Sequence, residues 1–214
     1  MLCVENSKIE VPPMNEERSY IASITREPFL LHEMRITAQL MASGSSDVEI
    51  IEKVYRENLY QYPTERSLKT IARGCIKRLR SMENEQLILA IATGSSDIAK
   101  QLCLYALLKQ SRLFWEFMVT VIAEKYRVMD YAFGKIDLNL FFMRLQEQHD
   151  DVAGWSDKTI AKLKQVFTKI LVETGYLDNI SSCQLNITVL HPILEDELRA
   201  KGDTALLSVF NRFV

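Results

Sequence analysis

This 214-residue sequence contains few of the residues that turn a chain sharply, with only 7 Gly and 5 Pro. Sheets need many turns, and turns favour these two residues, so their scarcity predicts a helical protein. The sequence also lacks any run of about 18 uncharged apolar residues, which argues against a membrane-spanning helix. Its first twenty residues have no basic start followed by an apolar run, so we expect no secretory signal and a cytoplasmic location.

Sequence signatures of catalytic and metal sites are also missing. The cysteines form no CxxC pair and the histidines no HExxH pattern, so free thiols are favoured over disulfides or zinc ligands. No P-loop, GxGxxG or GxSxG motif occurs. The segment QEQHDD at 146–151 could hold Mg²⁺, but a solvated turn is the favoured interpretation. We therefore predict a protein that is not an enzyme, without a cofactor, metal or small-molecule substrate.

A succession of helical patterns is present instead, and it predicts an all-α, compact multi-helix bundle. The tetrapeptide GSSD occurs at 44–47 and at 94–97, where Gly would end one helix and Ser-Asp would begin the next. The one candidate for β structure is a short hairpin near 177–190. We expect a mobile leader over 1–24, an N-terminal helix-turn-helix lobe over 25–82, and a C-terminal helical lobe over 83–214 with a second helix-turn-helix-like unit.

The segment TERSLKTIARGCIKRLRS at 64–81 is strongly basic in a chain whose formal net charge is only -2. On a helical wheel its apolar residues share one side, and Arg78 points to the flank. The opposite side holds five cations for which we expect no acidic partner four residues away, namely Arg66, Lys69, Arg73, Lys77 and Arg80. Because like charges at this spacing repel, the pattern favours a polyanionic ligand. The alternative is an ordinary solvated face.

Predicted helices at 28–43, 46–58 and 64–80 match the order of a helix-turn-helix, whose last helix enters the major groove. The link LYQYP before the third helix is longer than is usual for that motif. Residues near the start of the third helix would reach the bases, and later ones would contact phosphate. The predicted base contacts are Thr64, Arg66, Ser67, Lys69 and Thr70, and the predicted phosphate contacts are Arg73, Lys77 and Arg80.

A weaker basic pattern lies in the C-terminal half, on a predicted helix at 157–171. Its DNA-binding candidates are Lys158, Lys162 and Lys169. A helix at 137–151 would support it, and the hairpin near 177–190 would form a wing. Lysine is also a common solubilising residue, so the solvated interpretation is favoured here when this helix is taken alone.

Several blocks of the sequence resemble the BrxA family of the BREX bacteriophage-exclusion systems, over about residues 20 to 178. They are SITREPFLLHEMRITAQLM, NLYQYPTERS, LYALLKQSRLFWEFMVTVIAEKYR and RLQEQHDDVAGWSDKTIAKLKQVF. The resemblance implies a small, helical, non-enzymatic component of a phage-defence system, acting beside other BREX proteins. It also implies a likeness to the NusB-type helical nucleic-acid-binding fold. The family is often labelled an inner-membrane protein. This sequence contradicts that label, because it has no apolar run long enough to span a membrane.

Taken together, these patterns predict sequence-tolerant binding of double-stranded DNA through the basic helix at 64–80, aided by 157–171. Two alternatives stay open. The same face could dock an acidic surface of another BREX protein, or it could bind RNA as NusB-like proteins do. No membrane partner is expected.

Overall fold

The structure is a computed structural model that describes residues 19–213, so residues 1–18 of the predicted leader lie outside the described residues. The described chain is helical, as predicted. A 3₁₀ turn at Ala22–Thr25 precedes the first α-helix. The α-helices are α1 Leu31–Ala42, α2 Asp47–Arg56, α3 Glu65–Arg80, α4 Glu85–Thr93, α5 Ser96–Gln110, α6 Arg112–Phe117, α7 Ala123–Arg127, α8 Lys135–Gln148, α9 Asp150–Ala153, α10 Asp157–Glu173, α11 Pro192–Ala200 and α12 Ala205–Val209.

Local capping chemistry fixes the junction between α1 and α2. Gly44 has φ 85°, a left-handed conformation that costs glycine little, and it turns the chain after α1. Ser46 then caps α2 through a capping box. Its amide donates to Glu49 Oε2 at 2.7 Å, and the Glu49 amide donates back to Ser46 Oγ at 3.4 Å. The predicted junction at GSSD is therefore confirmed here.

Helices α6 and α7 are continuous through a π-helical turn at Met118–Ile122. Around them lies an aromatic cluster, in which the ring of Phe167 packs 4.9 Å from the rings of both Phe114 and Phe117. Phe141 and Phe142 of α8 join the same cluster. The aromatic residues at 114–117 are therefore buried in helix packing and are not available for base stacking.

The hydrophobic core of the described residues is one connected cluster that extends from Tyr20 to Phe210. Helix α1 packs on α4, across the predicted lobe boundary at residue 82. Arg35 Nη2 donates to the Gly94 carbonyl at 3.0 Å, and Gln39 donates to the Ala92 carbonyl at 3.3 Å. The division into two lobes stays a prediction, and this packing gives it an experimental test.

The predicted β-hairpin near 177–190 is wrong, because the described chain contains no strand there. An isolated antiparallel bridge pairs Gln184 with Ala132. The Leu185 amide donates to the Tyr131 carbonyl, far away in the sequence, and the Asn186 amide donates to the Tyr176 carbonyl just before the segment. These two amides are therefore satisfied outside the segment and do not pair across a hairpin.

Candidate nucleic-acid interface

The basic helix α3 begins with a side-chain cap. Thr64 has an extended backbone, and its Oγ1 accepts a hydrogen bond from the Ser67 amide at 3.3 Å. The Thr64 hydroxyl also donates to Ser67 Oγ at 2.8 Å. Thr64 and Ser67, two of the predicted base contacts, are therefore engaged with each other at the helix start, while Thr70 is exposed one turn further along.

The apolar side of α3 lies in the core, as the wheel predicts. Its position is also fixed by a close approach at Gly74, where an added Cβ would lie 2.6 Å from Glu27 Oε2. The buried residues of this side are Leu68, Ile71, Ala72, Cys75, Ile76 and Leu79.

Arg78 does not point to the flank, as the wheel indicated, but is buried with 3% of its surface exposed. Its Nη1 donates to the Pro28 carbonyl at 2.6 Å, and its Nη2 donates to the Glu27 carbonyl. Burial lowers the pKa of Arg78. This arginine therefore joins α3 to the segment before α1 and is not available to a ligand.

Two of the five predicted outward cations have acidic partners, and the partner of Lys69 lies four residues away, where we expected none. Lys69 Nζ lies 2.5 Å from Glu65 Oε1, four residues earlier, and 4.3 Å from the centre of the Tyr55 ring. Arg80 Nη2 lies 2.5 Å from Asp47 Oδ1, and this carboxylate raises the pKa of Arg80. The wheel missed Asp47 because this residue lies on α2, outside the helix considered.

The other three cations are exposed and make no ion pair within residues 19–213. They are Arg66, Arg73 and Lys77, spaced seven and four residues apart, which places them along one face of α3. At 1.5 Å per residue they span roughly 16 Å. This linear row of uncompensated positive charge is what a phosphate backbone would meet.

Helix α10 carries a second row of cations. Ser156 caps its start, and Ile160, Leu163 and Phe167 lie in the core. On the opposite side, Lys158 and Lys162 are exposed and lack an ion-pair partner in the described chain. Lys169 is also exposed, with its Nζ 3.6 Å from Glu173 Oε1.

A surface depression with a volume of about 470 Å³ lies beside α10 and the segment that precedes α3. Tyr62, two residues before the α3 cap, lines it on one side, and Lys169 of α10 lines it on another. His32, Glu33 and Arg35 of α1 and Glu173 of α10 also line it, so cations and carboxylates share this surface. Sequence reasoning missed His32 and Arg35, because only the folded chain brings these residues together with Tyr62 and Lys169.

The remaining candidates have structural roles. In the segment QEQHDD, Asp151 Oδ2 accepts a hydrogen bond from the Tyr20 amide at 3.0 Å, and His149 Nε2 lies 3.4 Å from the Tyr20 hydroxyl. No group of three potential metal ligands occurs in the portion of the chain that is described. Burial raises the pKa of Cys75 to about 12, so this thiol stays protonated at neutral pH.

Comparison with known proteins places the chain in a family. A family model described as BrxA matches residues 18–202. A Bacillus cereus (strain H3081.97) protein named BREX protein BrxA is 36% identical over 202 residues, covering 92% of this chain and 98% of the relative. The chain belongs to the BrxA family. A second BrxA relative, from Escherichia coli O9:H4 (strain HS), is 24% identical over 196 residues and covers 92% of both chains.

The fold is shared with a solved structure. The crystal structure of an uncharacterized protein from Magnetospirillum magneticum matches with a TM-score of 0.75, at 22% identity, over 90% of this chain and 98% of that chain. Among the residues described in this BrxA family member, none of the helices combines the length and apolarity that a membrane crossing requires.

Proposed function

We propose that this chain binds double-stranded DNA without strong sequence preference, as a non-catalytic component of a BREX phage-defence system. The relatives named BREX protein BrxA support the assignment to the system. The observation that carries the DNA-binding proposal is the row of Arg66, Arg73 and Lys77 on the outer face of α3. A polyanion would relieve the mutual repulsion of these charges, which no carboxylate in residues 19–213 does.

The proposed contacts follow from the environment of each residue. Arg66, in the first turn of α3, and the exposed Thr70 are the candidates for base contacts in a helix-turn-helix arrangement. Arg73 and Lys77 would contact phosphates, and Lys158 and Lys162 of α10 would extend the contact area. The other candidates would have to break existing contacts before they could bind DNA. They are Thr64 and Ser67, which bond to each other in the helix cap, and Lys69, Arg80 and Lys169, which form ion pairs.

Reversing two charges in the middle of the row provides the main test. We expect the variant Arg73→Glu/Lys77→Glu to lose measurable binding to random-sequence duplex DNA in a fluorescence anisotropy titration, because it replaces two phosphate contacts with repulsion. In the wild type, five uncommitted cations on α3 and α10 predict a slope of roughly -4 to -5 in log affinity against log salt.

Two matched controls separate the position of the charges from their number. Arg73→Lys/Lys77→Arg keeps the charge of the row and should bind as the wild type does. Lys53→Glu/Lys100→Glu changes the net charge equally at sites outside both basic faces, and it should lower affinity only slightly. Circular dichroism checks that each variant keeps its helices. Wild-type affinity in the Arg73→Glu/Lys77→Glu variant would refute the proposal.

A second candidate function is supported by the BREX names of the relatives, which favour partners within that system. The same row on α3 would then dock an acidic surface of another BREX protein. Capture of such a protein that survives nuclease treatment, and that the Arg73→Glu/Lys77→Glu variant loses, would favour this adaptor role. Competition between duplex DNA and structured RNA of equal length tests the remaining NusB-like alternative.

A further inference from the structure

Helices α2 and α3 pack side by side and run in opposite directions. Asp47, in the first turn of α2, pairs with Arg80, in the last turn of α3, at 2.5 Å. Near the other end of this helix pair, Tyr55 of α2 lies against Lys69 of α3, whose Nζ is 4.3 Å from the centre of the tyrosine ring. These two contacts place the outer surface of α2 beside the cation row on α3.

The side chain of Tyr55 is next to this row and is open to a ligand. Lys69, which the ring contacts, follows Arg66 by three residues and precedes Arg73 by four, so these three cations are neighbours on one face of α3. Tyr55 is 36% exposed. Its hydroxyl makes no hydrogen bond within residues 19–213. A hydrogen-bond donor without a partner in the described chain therefore lies beside the proposed DNA-binding face.

The two tyrosines in the link between α2 and α3 differ from Tyr55, because their hydroxyls are engaged inside the fold. Tyr60 is buried, and its Oη lies 2.6 Å from Thr37 Oγ1. Tyr62 Oη donates to Glu33 Oε1 at 2.7 Å. These two hydroxyls hold the link against α1, whereas the Tyr55 hydroxyl has no such role.

The carboxylates nearest to Tyr55 along the two helices have cationic partners of their own. Glu52, one turn earlier on α2, has its Oε2 3.6 Å from Arg56 Nη2. Glu65, at the start of α3, has its Oε1 2.5 Å from Lys69 Nζ. A phosphate that approaches the Tyr55 hydroxyl would meet these carboxylates together with their cations, and the cation row would add attraction.

We propose that Tyr55 is a further contact residue of the DNA interface, and that its hydroxyl donates a hydrogen bond to a phosphate oxygen of the duplex bound at α3. This inference rests on the proposed function. Tyrosine is among the side chains that donate to DNA phosphates, and the first helix of a helix-turn-helix crosses the DNA backbone. The helical wheel of α3 could not identify Tyr55, because this residue lies on α2.

Removal of the hydroxyl alone tests this contact. In the anisotropy titration with random-sequence duplex DNA, we expect Tyr55→Phe to bind roughly 3- to 10-fold more weakly than the wild type, because one hydrogen bond is lost. The ring stays against Lys69 and no charge changes, so the slope of log affinity against log salt should not change. Lys77→Met removes a cation from the row, and it should make this slope shallower by about one unit.

Tyr131→Phe is the matched control, because it removes a hydroxyl from the loop between α7 and α8, outside both basic helices. It should bind as the wild type does. Wild-type affinity in Tyr55→Phe would overturn the proposal. A slope that becomes shallower by about one unit in Tyr55→Phe would also overturn it, since Tyr55 would then act only by positioning Lys69.

Photo-cross-linking tests whether position 55 touches DNA. The variant Tyr55→p-azidophenylalanine should form covalent adducts with a labelled random-sequence duplex under ultraviolet light. Tyr131→p-azidophenylalanine should form far fewer adducts under the same conditions. Equal adduct yields at the two positions would contradict a contact at Tyr55.

Failure of this inference can be distinguished from failure of the proposed function. A wild type that does not bind duplex DNA, or an Arg73→Glu/Lys77→Glu variant with wild-type affinity, would refute the proposed function and the Tyr55 contact with it. If binding depends on Arg73 and Lys77 while Tyr55→Phe keeps wild-type affinity, only the Tyr55 contact is refuted.

Discussion

Neighbouring cations on α3 differ in their exposure to solvent and in their role, because their surroundings in the fold differ. Arg73 and Lys77 lie in solvent, whereas Arg78 is buried and donates hydrogen bonds to the carbonyls of Pro28 and Glu27. The wheel could not predict this, because the acceptors lie about 50 residues earlier in the chain. The apolar side of α3 was predictable, since it depends only on residue spacing within one helix.

Replacing Arg78 with methionine should destabilise the fold by about 2–3 kcal/mol, because buried carbonyl groups would lose their hydrogen-bond donor. Urea unfolding followed by circular dichroism measures this difference. Arg73→Met, on the same helix but in solvent, is the control and should change the free energy of unfolding by less than about 0.5 kcal/mol. Equal effects of the two changes would show that the carbonyl contacts do not stabilise the fold.

At the scale of the element, the ion pair between Asp47 and Arg80 links α2 to α3. Releasing Arg80 would add a cation to the row on α3. We therefore expect Asp47→Asn to bind duplex DNA more tightly and to steepen the log-log salt slope by about one unit. The control Glu52→Gln also removes a carboxylate from α2, but its partner is Arg56 on the same helix. It should leave the slope unchanged, and a change as large as that of Asp47→Asn would mean that Arg80 is not involved.

The capping box of α2 makes its stability depend on pH. Hydrogen bonds from the Ser46 hydroxyl and amide lower the pKa of Glu49. A carboxylate with a lowered pKa in the folded state contributes stability above its unfolded pKa and loses that contribution as the pH falls through its folded pKa. Ser46→Ala should therefore lower the urea midpoint at pH 7, and the gap to the wild type should narrow below about pH 4. Ser45→Ala is the control, and a gap constant with pH would contradict the assignment.

Helix boundaries were predictable where such caps occur. The predicted helices at 46–58 and 64–80 agree with α2 and α3 to within about two residues, since Ser46 and Thr64 cap them locally. The segment near 177–190 was predicted wrongly as a hairpin, because the alternation of Leu185, Ile187 and Val189 resembles a strand. Of these three residues only Leu185 is buried, and its amide bonds to Tyr131, far away in the sequence. Hydrogen-bond partners that are remote in sequence cannot be predicted from residue spacing, and neither can the residues that line the depression beside Lys169.

At the scale of the whole molecule, the question is whether the chain unfolds as one unit or as the two lobes predicted from the sequence. Helix α1 packs on α4 across residue 82, and the described core is continuous. Domains that share a core in this way generally unfold cooperatively. We therefore expect a destabilising substitution in the C-terminal half to lower the free energy of unfolding of the N-terminal half by the same amount.

Phe167→Leu is suited to test this cooperativity, because Phe167 packs in the aromatic cluster far from α3 in the chain. The change should destabilise the fold by about 1–3 kcal/mol while leaving it folded. If the chain is one unit, the slowest-exchanging amides of α3 and α10 should lose the same hydrogen-exchange protection, because both exchange only through global unfolding. Lys162→Ala, exposed on α10, should leave both helices unchanged. Faster exchange in α10 alone would instead establish two independent lobes, with the row on α3 carried by a unit that folds without the aromatic cluster.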